Sequence, residues 1–194
     1  IAKGLIPSLI LWGPPGTGKT TFLHNLKKES PKRTVIVAPI GIAAINAGGV
    51  TIHSFFQVPF APYVPESSFS ADGKATYRFR YGKEKINIIR SIDLLVIDEI
   101  SMVRADLLDS VDAVLRRFRD RNKPFGGVQL LMIGDLQQLS PVVKDDEWQM
   151  LRKYYDTPYF FSSQALKQTE YCTIELKKVY RQNDGTFLEL LNRI

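Results

Sequence analysis

The sequence predicts an α/β fold in which a mostly parallel sheet is covered by helices on both faces. Short apolar runs recur along it: SLILW at 8–12, TVIVA at 34–38, LLVI at 94–97 and QLLMI at 129–133. Each is too short for a helix and lacks the apolar–polar alternation of a half-exposed strand, as expected of strands buried on both faces. Segments with helical spacing alternate with them, which is the arrangement of parallel sheets. The length, 194 residues of which 44% are hydrophobic, suits one domain with a full core and an insertion.

The elements follow in order. Ser8 to Trp12 reads as a strand ended by Gly13-Pro14-Pro15-Gly16. Thr20 to Glu29 reads as a helix with Phe22, Leu23 and Leu26 on one side and Lys27, Lys28 and Glu29 outward. Thr34 to Ala38 is the second strand, and the small residues from Gly41 to Gly49 suit a short helix and a loop lying close to a backbone. Between Pro59 and Ser91 the composition shifts to Pro, Ser and aromatics, with Asp72-Gly73 as a hairpin-type turn. Tyr77-Arg78-Phe79-Arg80-Tyr81 then alternates strictly, so this segment reads as a small inserted β-rich element. Its aromatic face either packs on the domain or is placed against nucleic acid. Leu94 to Ile97 resumes the sheet, and a helix from about Arg104 to Arg119 turns Leu107, Leu108, Val111, Val114, Leu115 and Phe118 inward. Gln129 to Ile133 and Thr173 to Leu176 complete the strands, and Phe187 to Leu191 is a terminal helix. The main domain is therefore expected over 1–58 and 91–194, with the insert at 59–90. The chain opens on Ile1 and stops at Ile194 inside a helical pattern, so it is expected to be a piece of a longer protein.

Composition narrows the partners. No apolar run approaches the length of a bilayer span and no charged-then-apolar leader is present, so no membrane partner is expected. The single cysteine, Cys172, excludes an intramolecular disulfide and a cysteine-based zinc site. A net charge of +6 favours a polyanionic partner, although many ordinary proteins are this basic.

Gly13-Pro14-Pro15-Gly16-Thr17-Gly18-Lys19-Thr20 fits G-x-x-x-x-G-K-[ST] directly after a strand and before a helix, with Thr21 next along that helix. Such a loop turns backbone N–H groups around phosphate oxygens, and the helix N-terminus adds partial positive charge. Lys19 would reach the β- and γ-phosphates of ATP, and Thr20 would offer its hydroxyl to Mg²⁺. Asp98 and Glu99 follow LLVI at the C-terminal tip of a strand, where doubly wound sheets place ligands. Asp98 would hold Mg²⁺, directly or through water, and Glu99 would orient or deprotonate the attacking water, which points to hydrolysis, with a small-molecule kinase as the alternative on the P-loop alone. Gly134-Asp135-Leu136-Gln137-Gln138 follows the next strand, where a glutamine can sense the γ-phosphate; otherwise Gln137 and Gln138 cap a turn before Ser140-Pro141.

With these residues placed, the chain resembles the motor core of PIF/RecD-like superfamily 1 DNA helicases, which move 5′ to 3′. The resemblance runs through GPPGTGKT (13–20), APIGIAAINAGGVTIHSFF (38–56), LLVIDEISMV (94–103), FGGVQLLMIGDLQQLSPV (125–142) and VYRQNDGTFLELLNRI (179–194). It implies a RecA-like P-loop NTPase domain, the first of two motor domains, that hydrolyses ATP with Mg²⁺ and grips single-stranded DNA at duplex junctions. It further implies that Gln138 links the γ-phosphate to DNA and that Arg181 contacts the γ-phosphate. The 38–56 stretch would hold single-stranded DNA through Gly41, Thr51, His53, Ser54 and Phe55, and the insert at 59–90 would stand where the family carries a wedge. From the residues alone, Thr51 and Ser54 can donate to phosphate oxygens and His53 and Phe55 can stack on bases, while a core histidine with packed phenylalanines is the plainer reading, above all for Phe56. A second RecA-like domain is expected after Ile194, and the piece alone is expected to be monomeric and nearly inactive. Localisation would be cytoplasmic or nucleoid-associated in a bacterium, and nuclear or mitochondrial in a eukaryote.

Three departures stand against the family pattern. Ile40 replaces its usual Thr, Pro15 replaces an Ala common in relatives, and no glutamine that could read adenine occurs between Ile1 and Trp12. The enzyme alternative is an AAA+ type P-loop ATPase, in which GPPGTGKT is common but Gly-Asp-x-x-Gln and Tyr-Arg-Gln fit less well. A non-catalytic nucleic-acid-binding module is the other, against which Lys19, Thr20, Asp98 and Glu99 all argue.

Overall fold

The computed structural model describes residues 8–64 and 81–179. Six strands form one sheet: β1 (Ser8–Trp12), β2 (Thr34–Ala38), β3 (Val50–Thr51), β4 (Leu94–Ile97), β5 (Gln129–Gly134) and β6 (Tyr171–Glu175). They lie in the order β3-β2-β4-β5-β1-β6, and every neighbouring pair is parallel. Seven helices accompany them among the described residues: α1 (Lys19–Glu29), α2 (Gly41–Asn46), α3 (Ile52–Phe56), α4 (Lys83–Ser91), α5 (Ala105–Phe118), α6 (Asp145–Leu151) and α7 (Gln164–Lys167). None of them is long and apolar enough to cross a membrane.

Strand alternation sends successive side chains to opposite faces, and each face has its own core. Val37, Leu95, Ile97, Leu130 and Met132 pack on one side against α3, α4 and α5. Leu11, Ile36, Val96, Leu131 and Ile133 pack on the other, where α1 contributes Leu23. This is why the strands read as unbroken apolar runs. Burying one such side chain contributes about 1.5–3 kcal/mol, so the central strands hold the ends of the loops they feed in place. Register aligns those ends: Val37 pairs with Ile97, Ile97 with Met132 and Trp12 with Gly134. The residues that follow β1, β4 and β5 therefore emerge side by side on one edge.

The structure refines several expectations. Val50–Thr51 is a short edge strand, and residues 52–56 form a helix capped by Thr51, whose Oγ1 accepts from the Ser54 N–H. The last strand is Tyr171–Glu175 rather than 173–176. Phe22 is 40% exposed and leaves the packing of α1 to Leu23 and Leu26. Within the segment 59–90, α4 buries Ile89 in the main core. The expectations placed on 72–73, 77–80, Arg181 and 187–191 fall outside the described residues.

Candidate nucleotide site and adjoining edge groove

The loop after β1 is held in shape by its own groups. Thr17 Oγ1 donates to the Pro14 carbonyl at 2.9 Å, and Lys19 Nζ donates to the carbonyls of Gly13 and Pro14. Gly16 and Gly18 turn the chain through positive φ (81° and 90°), a conformation that favours glycine. Gly13 is required for a different reason, since a Cβ there would meet the Leu176 carbonyl oxygen at 2.4 Å. Lys19 opens α1 with Thr20 and Thr21 exposed beside it.

Asp98 and Glu99 stand at the tip of β4. Asp98 donates its backbone N–H to the Val37 carbonyl at 2.8 Å, which fixes where the loop departs. Burial raises the Asp98 carboxyl above its usual range, against a hydrogen bond from the Glu99 N–H and the charge of Lys19. Glu99 is raised by burial and by the negative charge of Asp98. It also adopts φ 51°, ψ 46°, a left-handed conformation that costs a non-glycine residue about 1–3 kcal/mol and that tends to persist at working sites. That turn brings Glu99 over the P-loop: Pro15, Gly16, Lys19, Thr20, Glu99 and Gln138 line one cleft of about 300 Å³. Burial lowers the Lys19 ammonium, while Asp135, Glu99 and Asp98 support its charge.

Gln138 reaches this cleft because of Asp135, which sequence reasoning passed over. Asp135 is buried (2% exposed), accepts from Gln138 Nε2 at 2.8 Å and from the Gln137 N–H at 3.0 Å, and so braces the loop after β5. An aspartate directly behind a strand that is apolar after Gln129 was the available signal. A single hydroxyl and a single carboxylate, Thr20 and Asp98, suit Mg²⁺, a hard ion that keeps water and phosphate oxygens among its ligands.

The second group of candidates lies on the same edge beyond β4. Thr51 pairs with Ala38 across β2 and β3, so the loop beginning at Pro39 and the start of α3 emerge together. Gly41 is exposed at the first position of α2, and a Cβ there would meet nothing within 4 Å. Ser54 is exposed and Thr51 half-buried. His53 stacks on Phe60, ring centroids 4.4 Å apart, and both line a groove of about 280 Å³ with Ile40, Tyr63, Arg104 and Val142. Phe60, 83% exposed, belongs with these residues and was missed because it opens the segment read as an insert. At the floor, Arg104 binds Asp106 through two hydrogen bonds and Glu147 through a third, while Asp106 also accepts from the Tyr63 N–H. Burial and the charge of Arg104 lower the His53 imidazole below its ordinary range, with Asp106 opposing. Phe55 differs from expectation. It is 7% exposed in the main core, with Lys85 Nζ 3.8 Å from its ring centroid, so little of the ring is open to a base.

A sequence profile described as PIF1-like helicase matches residues 5–190 of the chain. The chain is 39% identical to the human ATP-dependent DNA helicase PIF1 over 96% of its own length and 27% of that protein. It is 36% identical to the protein of the same name from Saccharomyces cerevisiae strain YJM789, over 94% of the chain and 20% of the relative. It thus spans about a quarter or less of the curated relatives it matches. Among solved structures, a Bacteroides Pif1 bound to single-stranded DNA superposes with a TM-score of 0.89 at 42% identity, over 97% of this chain and 42% of that one. A Bacteroides Pif1 helicase in complex with ADP-AlF3 and single-stranded DNA gives 0.90 at 41% identity, over 98% and 43%. With its P-loop, its Asp98-Glu99 tip and its Gln138 loop on one edge of an all-parallel sheet, the chain belongs to the PIF1-like helicase family.

Proposed function

We propose that this chain is the first motor domain of an ATP-dependent DNA helicase that binds and hydrolyses ATP with Mg²⁺ and grips single-stranded DNA for 5′-to-3′ translocation. The observation that carries the reading is the convergence of Lys19, Thr20, Glu99 and Gln138 on one cleft. Lys19 meets the β- and γ-phosphates, and Thr20 with Asp98 would hold Mg²⁺, which when bound neutralises phosphate charge. Glu99, whose carboxyl burial makes more basic than an exposed one, orients the attacking water and takes its proton. Gln138, fixed by Asp135, senses the γ-phosphate from a loop next to the groove of His53 and Phe60. Arg181 is assigned to the γ-phosphate by its motif, Tyr180-Arg181-Gln182. Thr51, His53, Ser54 and Gly41 supply the grip on DNA, and family membership leaves the AAA+ alternative without support.

Two measurements test this. Lys19→Ala should weaken binding of a fluorescent ATP analogue by about 100-fold, the loss of a charged contact to phosphate, with the thermal transition kept. Equal affinity in the two proteins would defeat the nucleotide assignment. In a longer version of the protein, unwinding should proceed from a 5′-tailed duplex and not from a 3′-tailed one.

A further inference from the structure

The opposite edge of the sheet, where the strands begin, carries a chemistry that ATP binding does not use. Ser8, Thr34, Leu94 and Gln129 open their strands there, separated from the nucleotide edge by a strand of five residues, about 16 Å at about 3.3 Å per residue. Lys32, Arg90, Arg119 and Lys123 line two hollows on this edge that share Lys123 and Gly127. The neighbouring cations are set against neutral partners. Lys32 donates to Gln129 Oε1, Arg90 Nε to the Phe118 carbonyl, and Arg119 to the carbonyls of Arg90 and Gly126. Of the carboxylates nearby, Asp93 is held by Arg33 through both oxygens, and this hydrogen bonding keeps its pKa at about 2. Asp120 lies 3.5 Å from Lys123, and Glu170 stands at the rim.

Cations at helix C-termini offset the helix dipole. That accounts for Lys27 and Lys28 on α1, Arg90 on α4, and Arg116 and Arg117 on α5. It does not account for Lys32, Arg121 and Lys123, which lie in the loops beyond. A phosphate-bearing partner explains these loop cations. The two hollows also lack what single strands need. Phe118 is the one aromatic that lines them, half-buried with Tyr81 against it edge-on and Arg117 over its ring, while the exposed Tyr171 opens β6 on this edge and lines neither. Cations without a stacking platform suit a nucleic acid whose bases are already paired and inward.

We propose that this basic edge binds the phosphate backbone of duplex DNA without reading its sequence. The proposal rests on the reading that the protein acts on DNA, but on a different surface from the His53 groove. The test uses the full 194-residue chain and a short fluorescent blunt-ended duplex, titrated across a range of salt concentrations. Combining Lys32→Gln, Arg90→Gln and Lys123→Gln should weaken duplex binding at low salt at least about 10-fold. It should also flatten the log–log salt dependence by about 0.9 for each phosphate that is no longer neutralised. Binding of an oligothymidylate and of a fluorescent ATP analogue should stay unchanged. All three residues are exposed, and Lys123→Gln alone should still flatten the slope by about 0.9. Unchanged duplex affinity overturns the proposal, as does an equal loss for oligothymidylate, or binding to phosphatidylserine vesicles in place of duplex. A chain that binds duplex through this edge but fails to bind oligothymidylate would refute the single-strand grip and leave this surface standing.

Discussion

Ile40 is the N-cap of α2, at φ −124° and ψ 155°, and makes no side-chain capping bond, although Ala44 N–H does bond to its carbonyl. A hydroxyl at that position could accept from the first free N–H groups of the helix. Ile40→Thr is therefore expected to stabilise the fold by about 1 kcal/mol in denaturant unfolding. No change in the unfolding midpoint would show that the cap is not what the position lacks. His53, a few residues along the chain, sets a pH dependence. The fold holds its imidazole below the ordinary histidine range, through burial and the Arg104 charge. The unfolded chain then takes up the proton more readily than the folded one, so stability should fall as pH drops from 7 through the ordinary histidine range. The loss continues until the folded imidazole itself protonates. His53→Gln should reduce this loss between pH 7 and 5, and parallel stability curves for the two proteins would exclude the mechanism.

At the scale of elements, Asp109 joins helices far apart in sequence. It is 5% exposed on α5 and accepts from Ser163 Oγ and from the N–H groups of Gln164 and Ala165, which begin α7. Asp109→Ala strands these donors in the interior and is expected to cost about 3 kcal/mol of unfolding free energy. A loss below about 1 kcal/mol would mean that α7 finds other partners. This tie could not be read from the chain, because an aspartate at helical spacing looks like a solvated one until α7 is placed against it. The central strands were legible for the opposite reason, since Leu94 to Ile97 and Gln129 to Ile133 are apolar at every position but one, with both faces buried. The motifs at Gly13–Thr20 and Asp98-Glu99 were legible because phosphate binding restricts residue type at each step. Helix α4 was hidden inside a segment judged by its composition, although Ile86 and Ile89 keep helical spacing. Helix α6 announced itself through Asp145, Asp146 and Glu147 in its first turn and was overlooked. Phe55 was misjudged because aromatic character says nothing about which face of α3 it occupies, and α4 supplies the Lys85 that covers it.

At the scale of the whole molecule, charge decides what this domain can do by itself. The cleft over the P-loop holds one cation among the described residues, Lys19, and that cation already faces Asp98, Glu99 and Asp135. A transferring phosphoryl group spreads negative charge over its oxygens, and the described residues of the cleft bring no second positive group to meet it. Arg181 would supply one from the same chain. The proposed second motor domain would bring a further cation from outside the described residues, and the relatives are about four to five times as long as the chain that matches them. An arginine supplied across an interface in such sites is worth about 10³–10⁵ in rate. The 194-residue chain should therefore bind an ATP analogue yet turn over slowly, and a longer version carrying the next domain should hydrolyse ATP at least about 10³-fold faster in the presence of single-stranded DNA. Single-turnover hydrolysis at saturating nucleotide separates this from weaker binding, since a missing transition-state cation lowers the rate and leaves affinity in place. Equal rates in the two proteins would mean that Lys19 and the rest of this domain complete the site alone.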